Sequence, residues 1–507
     1  MKITKIFSSL LFLPSFVFLL SCSAENSTSS VSVINERELL AIENAGQEEL
    51  TKEEIRLLVR LQRSSDHIGM EEASQRAKEY AILSRKSNAI NSLYNRGDSL
   101  LPPFQRNHSK RRTTLSSEEL SAANVNIRNI SVFLSKDVLK RSDMRVSSSV
   151  SIPDTLAYVF DFDNNEGYAI ISADARINES VLGFVSEGFF DRQAVSPGKA
   201  FYLDMLDVYL VHTITEAERQ KDSLLSSIQS KLGIDNLDIE DIGNILNSTR
   251  HHNNWNYYYK HSCNPAGTIC RESMGPIIPV QWGQRWPFND SIMTANSCPA
   301  VNNINAWNHN PGGRRLAGCG ATAAAQVMAY WQHPSINTLT GMNATWAGLN
   351  NLKTKHDFHA PTGASFRAPV ASAFKTIAAG IGTTYGCDVS ISYYYSIMDY
   401  LRSFGHNIHS QHVNWSDRVI GSALGENIPK PTFIRGCNAA GGCHFWLIDG
   451  WVEEYRPGIP GITLYFMHNW GWDGEGQGEY PVDVINSVGQ MTFAYQFGVM
   501  MNVMRGP

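Results

Sequence analysis

The chain has 507 residues, 43% of them hydrophobic and 18% charged, with a formal net charge of −5. This balance suits a folded protein with a large core and excludes the disordered class. One short basic cluster, Arg106 to Arg112, reads as a solvated loop or a protease-sensitive linker and leaves no footprint for nucleic acid.

Lys2 and Lys5 precede an apolar run from Ile6 to Leu20 that contains Pro14. The run is short for a bilayer span, so residues 1–21 are expected to be a signal peptide. Leu19-Leu20-Ser21-Cys22 is similar to a bacterial lipobox. That implies lipidation at Cys22, a polar tether over 22–32, and an exported protein held to a lipid membrane through Cys22. The outer membrane or periplasm is the expected location, with release after maturation as an option. A plain secretory signal beside a cysteine is the alternative. Seven further cysteines lie between Cys263 and Cys443, and an odd count in an exported protein leaves one free thiol. Their spacings lack the histidine pairs of a zinc site, and the thiol chemistry read below needs neither a metal nor another cofactor.

Further along, Ile55, Leu58 and Leu61 recur at helical spacing, as do Ala73, Ala77 and Tyr80. A polar stretch covers 95–117. LAYVFDF at 156–162, an Asp/Asn/Gly turn, and YAIISA at 168–173 read as a β-hairpin. A long helix is expected from Pro197 to Leu232, and 233–275 reads as a linker ending at Gly275-Pro276. This half, 33–262, carries no visible chemistry and suits a binding module or a propeptide. The second domain is assigned to 263–507, where Trp, Gly and Cys rise.

Cys319 lies in RRLAGCGATAAAQVMAYWQ, between two glycines and before an alanine-rich run that stops near His333-Pro334. A cysteine at a helix N-terminus meets unpaired N–H groups and the positive end of the dipole, which favour a thiolate and can hold an oxyanion. A structural cysteine at a tight turn has the same local signature. His444 lies in GGCHFWLIDGW, a strand expected to pair with GITLYFMHNW across the Pro/Gly loop after Arg456. A hairpin centred between Arg456 and Pro457 sets Asn469 opposite His444, within reach of the imidazole. A bulge would shift that register. Trp470 beside it either shields the His–Asn bond from water or simply packs. Gln284, in PVQWGQRWPFN, is a candidate side-chain donor to the oxyanion.

Together WGQRWPFN, GCGATAAAQVMAYW, CHFWLIDGW and HNWGWDGEGQGEY resemble, in that order, the streptopain family of bacterial cysteine peptidases. The hairpin region TLAYVFDFDNNEGYAIISADARINESVLGF resembles the propeptide of that family. The resemblance implies an α+β protein: a papain-like catalytic domain of two subdomains behind an α+β propeptide domain. It implies Cys319 as nucleophile, His444 as base, Gln284 as oxyanion donor, and Asn469 with Trp470 as the orienting pair. The implied function is a secreted cysteine endopeptidase made as a zymogen, acting on protein or peptide substrates with its own propeptide as intramolecular inhibitor. Cys443 stands where the family usually has Gly, Gly320 where it tends to have Val, and Phe445 where it tends to have Ala. Cys443 is free to pair with Cys437, or with Cys319 under oxidation. The rival readings are a surface lipoprotein whose peptidase fold is inactive and serves binding, and an acyl-transfer enzyme using the same Cys–His logic.

Overall fold

The structure, a computed structural model, describes residues 50–504 apart from 64, 99–101, 106–110, 117, 120–122, 143–145, 194–195, 234–236, 238, 240–241, 243–244, 247–268, 293–297, 410–412, 415–416, 426–427, 438–441, 457–461 and 486–495. The signal peptide, the tether and Cys22 lie outside the described residues, as do Arg106–Lys110 of the basic cluster.

The apolar spacing at the start produces helix α1 (Lys52–Leu61) and helix α2 (Met70–Asp98). A capping box closes α1: the Thr51 hydroxyl accepts from the Glu54 N–H, and Glu54 accepts from the Thr51 N–H. Strands β1 (Arg111–Leu115) and β2 (Ile127–Leu134) and helix α3 (Ser135–Ser142) follow. The expected hairpin forms as β3 (Thr155–Phe162) and β4 (Tyr168–Ser172), with β5 (Val181–Val185) beside it. Helix α4 runs from Pro197 to Leu232. Ser196 caps its N-terminus, Pro197 sits at its first position, and Gly233 takes the left-handed conformation that ends it.

The expected linker over 233–275 is corrected at its end: Ile269–Met274 is strand β6, paired antiparallel with β1 on one side and with the later strand β10 on the other. A Pro- and Gly-bounded polar segment looked like loop because its partners are remote in sequence. In the second half, helix α5 (Cys319–Trp331) is followed by helix α6 (Arg367–Gly380), helix α7 (Tyr394–Ser403), β7 (Asn407–His409), β8 (Val413–Asn414) and helix α8 (Asp417–Leu424). Strands β9 (Thr432–Cys437), β10 (Cys443–Tyr455), β11 (Ile462–Asn469), β12 (Gly478–Pro481) and β13 (Gln496–Met504) complete an α+β fold.

One antiparallel sheet crosses both halves of the chain, in the order β2-β3-β4-β5-β12-β11-β10-β9-β13-β7. The joint is β5 against β12, where Val185 faces Gly478 and Phe184 faces Glu479. Side chains alternate across this sheet, so both faces are apolar and both need a cover. Tyr158, Phe160, Ala169, Ile171, Tyr465 and Met467 pack with α2 on one face. Ala157, Val159, Ile170 and Phe466 pack with α4 and α5 on the other. A buried charge cluster ties the halves: Arg271 of β6 is paired with Glu479 of β12, which also accepts from the Tyr80 hydroxyl of α2 at 2.6 Å. Among the described residues no helix is long and apolar enough to cross a membrane.

Candidate active site

Cys319 is the first residue of α5, and its neighbours explain the flanking glycines. Gly318 holds φ at +97°, a conformation other residues rarely adopt, and a Cβ there would lie 3.3 Å from Ser390 Cβ. A Cβ on Gly320 would lie 2.7 Å from Ile397 Cδ1. The glycines let α7 and the segment before it close over the cysteine turn. Cys319 is partly buried and is the free thiol among the described cysteines. Cys298 is bonded to Cys387 and Cys437 to Cys443, so Cys443 does not couple to Cys319. The N–H groups of Phe445, Gly320 and Cys319 itself face the sulfur.

A helix N-terminus alone predicts a lowered thiol pKa. In this form burial outweighs the N–H groups and pushes the Cys319 thiol up. Burial thus favours the neutral form of the thiol, which sits against the N–H of the residue that follows His444.

His444 lies near the start of β10, opposite Gly436 of β9. Its Nε2 donates to the Trp470 carbonyl at 2.8 Å, which leaves Nδ1 as the basic nitrogen of the neutral ring. Burial lowers its pKa to about 4. The ring stacks at 6.0 Å from Trp446, 6.3 Å from Trp470 and 6.4 Å from Trp472.

The expected register is corrected. Asn469 faces Leu447, not His444, and the pairing shifts at a bulge between Ile448 and Gly450. Gly450 is forced by close approach, since a Cβ there would lie 2.5 Å from the Met467 sulfur and 2.6 Å from the Met274 carbonyl. The buried Asn469 side chain accepts from Gln326 Nε2 at 3.1 Å and from the Gly471 N–H at 3.3 Å, and donates to the Val280 carbonyl at 2.9 Å. Asn469 thus closes the turn whose carbonyl orients His444, one step removed from the imidazole. Gln326 lies inside the alanine-rich run and was read only as helix. A polar residue amid alanines on a buried helix was the available signal.

Gln284 is 3% exposed, and its Nε2 has no hydrogen-bond partner. Its backbone carbonyl accepts from the Ala317 N–H at 3.0 Å, anchoring it beside the cysteine turn. Gln284, Cys319, His444 and Trp472 line one cavity of about 270 Å³. Asn469 and Trp470 stand behind it.

The first turns of α4 form one side of the wall, through Pro197, Ala200, Phe201 and Asp204, and Asp388, Val389 and Ser390 form another. Phe201 lies 5.8 Å from Trp446 and occupies space that a Cβ on Gly436 would enter. Gly198 sits against Trp470 and Trp472 so closely that a Cβ would lie 2.7 Å from Trp470 Cβ. Glu475 accepts from the Ser196 N–H and from Lys199 Nζ, each at 3.3 Å. Sequence alone gave no sign that α4 reaches the site. Among the described residues no cluster of ligands could hold a metal.

Residues 282–480 match the Peptidase C10 family, a span that takes in Gln284, Cys319, His444, Asn469 and Trp470. Over these residues the chain matches the streptopain family of peptidases. Residues 65–209 match the Spi protease inhibitor, so this peptidase carries an inhibitor-like propeptide ahead of it. That match includes the β3–β4 hairpin within the sheet, α2 that covers one face of it and the first turns of α4 that wall the cavity. No curated protein matches the chain.

Proposed function

We propose that the chain is the precursor of a secreted cysteine endopeptidase, anchored through a lipid on Cys22 and kept inactive by α4. The observation that carries this reading is one cavity holding a free thiol at a helix N-terminus, a neutral imidazole and an unpaired buried amide donor, walled by a helix of the inhibitor-like region.

In the released enzyme Nδ1 of His444 takes the Cys319 proton. The thiolate attacks the peptide carbonyl carbon, and the oxyanion lies between the Cys319 N–H and Gln284 Nε2. The imidazolium returns its proton to the departing amine as the C–N bond breaks. Water, deprotonated by His444, then cleaves the thioester and restores the thiol. Trp470 orients the base through its carbonyl, and Asn469 positions that carbonyl. No cofactor enters. The maturation cut falls between Leu232 and Ile269, because α4 must leave while β6 stays paired with β10.

Cys319→Ala is the test. Its purified precursor is expected to stay uncut under conditions that mature the parent, and to hydrolyse no peptide. Unaided maturation of that variant would refute self-processing; peptide hydrolysis by it would refute the thiol mechanism. A parent chain with neither activity would favour a binding lipoprotein.

A further inference from the structure

Residues 388–393, directly before Tyr394 and Tyr395 at the start of helix α7, read Asp-Val-Ser-Ile-Ser-Tyr and invert the usual pattern of a half-buried extended segment. Its serines point inward. Ser390 Oγ donates to the Leu316 carbonyl at 2.9 Å and accepts from the Gly386 N–H at 3.0 Å, while Ser392 Oγ bonds to the Thr383 hydroxyl at 2.9 Å. The backbone of Ile391 exchanges two 2.9 Å bonds with Thr384, and the Cys298–Cys387 disulfide fixes the segment's start. Small inward side chains are required because Ser390 and Ser392 lie against the Cβ positions of Gly318 and Gly320, on either side of the nucleophile. Nothing comparable dictates the outward positions. They carry Val389, Ile391 and Tyr393, and the first turn of α7 adds Tyr395; these four are 66%, 55%, 72% and 67% exposed.

A rigid row of four large apolar side chains in water is costly to solubility, and such patches mark contact surfaces. Its position selects the occupant. Val389 and Ser390 line the cavity that holds Cys319 and His444, so the row continues the wall of the cleft outward. At its far end Tyr394 lies in the field of Arg435, on the strand that faces β10 beside His444. The α4 helix fills the cleft yet leaves the row uncovered.

We infer that Val389, Ile391, Tyr393 and Tyr395 form an extended recognition strip for polypeptide substrates, binding aliphatic or aromatic residues that lie beyond the cleft on one side of the scissile bond. This rests on the peptidase reading and adds a substrate class to it: extended, apolar stretches of protein rather than short peptides. The strip is rigid before the substrate arrives, so little ordering cost is incurred on binding. It is also open in the precursor, so an unmatured chain already holds its target-binding surface.

The mature enzyme and its Tyr393→Ser/Tyr395→Ser variant are assayed on a three-residue fluorogenic reporter and on two ten-residue peptides that share the reporter's cut. One long peptide carries Leu and Phe in its outer positions on both sides, the other Ser and Asp. The ratio of kcat/KM, long apolar over short, is expected to fall about tenfold in the variant, mostly through KM, as for loss of a buried aromatic anchor pair. The ratio for the long polar peptide is expected to hold. Moving Leu and Phe to one side at a time should retain the effect on one side only. Equal losses on short and long substrates, or no loss on the long apolar one, would overturn the strip. So would sedimentation showing a dimer that the substitutions dissolve, since the row would then be a self-contact. Failure of the parent to cut the reporter at all would instead strike the peptidase reading on which the strip stands.

Discussion

Replacing Gly198 with alanine perturbs the seam between α4 and the site, yet the released peptidase lacks residue 198 and stays chemically identical. The added Cβ would lie 2.7 Å from Trp470 Cβ, 3.1 Å from Trp470 Cγ and 3.2 Å from Trp472 Cδ1. Carbon atoms pack at about 3.5–4.0 Å, so the helix or the tryptophans must retreat by roughly 1 Å. Overpacking of this kind costs about 1–3 kcal/mol. Alanine recovers a fraction, because it exceeds glycine as a helix former by up to about 1 kcal/mol in a helix interior. A net weakening of about 1–2 kcal/mol raises the population with α4 lifted by about 5–30-fold. Parent and G198A precursors are followed side by side by gel and mass spectrometry at low, fixed concentration. The variant is expected to mature faster by that factor and to yield an enzyme of unchanged kcat/KM. Maturation at the parent rate, with an unchanged melting temperature, would refute gating by α4.

Gln284→Ala in the mature enzyme is expected to lower kcat about 100–1000-fold with KM near the parent value, since its amide acts on the oxyanion rather than on bound substrate; a change confined to KM in steady-state assays would assign it to binding. Glu179, buried against Asp483 with Tyr209 donating to it and Arg56 nearby, has its carboxyl pushed up from 4.5 to about 8. The folded precursor therefore favours the protonated form, and that stability, a few kcal/mol at most, is present below about pH 4.5 and lost as pH rises through about 8. Thermal melts of the Cys319→Ala precursor across that window should show the loss, and Glu179→Gln should reduce it, leaving the share of Asp449 and Asp473, whose buried carboxyls are pushed up to about 8 and about 7; an unchanged pH slope would contradict the assignment.

Local signals in the sequence carried well where one element satisfied itself. The caps and apolar spacing of α1, the Pro197 start and Gly233 end of α4, the β3–β4 turn and the alanine-rich α5 all lie where their own residues direct them. Readings that depended on remote partners did not carry. The Ile269–Met274 strand exists because β1 and β10 flank it, and the β5–β12 joint cannot be inferred from either strand alone. The hairpin register failed at the loop, since Tyr455 already faces Ile462 rather than residue 458, and the bulge at Gly450, where Met274 and Met467 crowd the backbone, changes it by only one residue. The thiol was expected to be acidic from its helix position. Its burial under α4 is a tertiary fact with no trace in the residues around Cys319. The outward Val389–Tyr395 row was in plain view, but its meaning depends on lying beside the cysteine turn.

The most direct test of a thiol held neutral beneath α4 is the rate of iodoacetamide labelling at Cys319, before and after the propeptide is removed, at about pH 6, where an ordinary thiol is almost wholly protonated. The account predicts slow labelling of the precursor and fast, selective labelling of Cys319 in the mature enzyme, abolished there by His444→Ala. Equal rates in the two forms, or a mature Cys319 no more reactive than an ordinary cysteine, would contradict it.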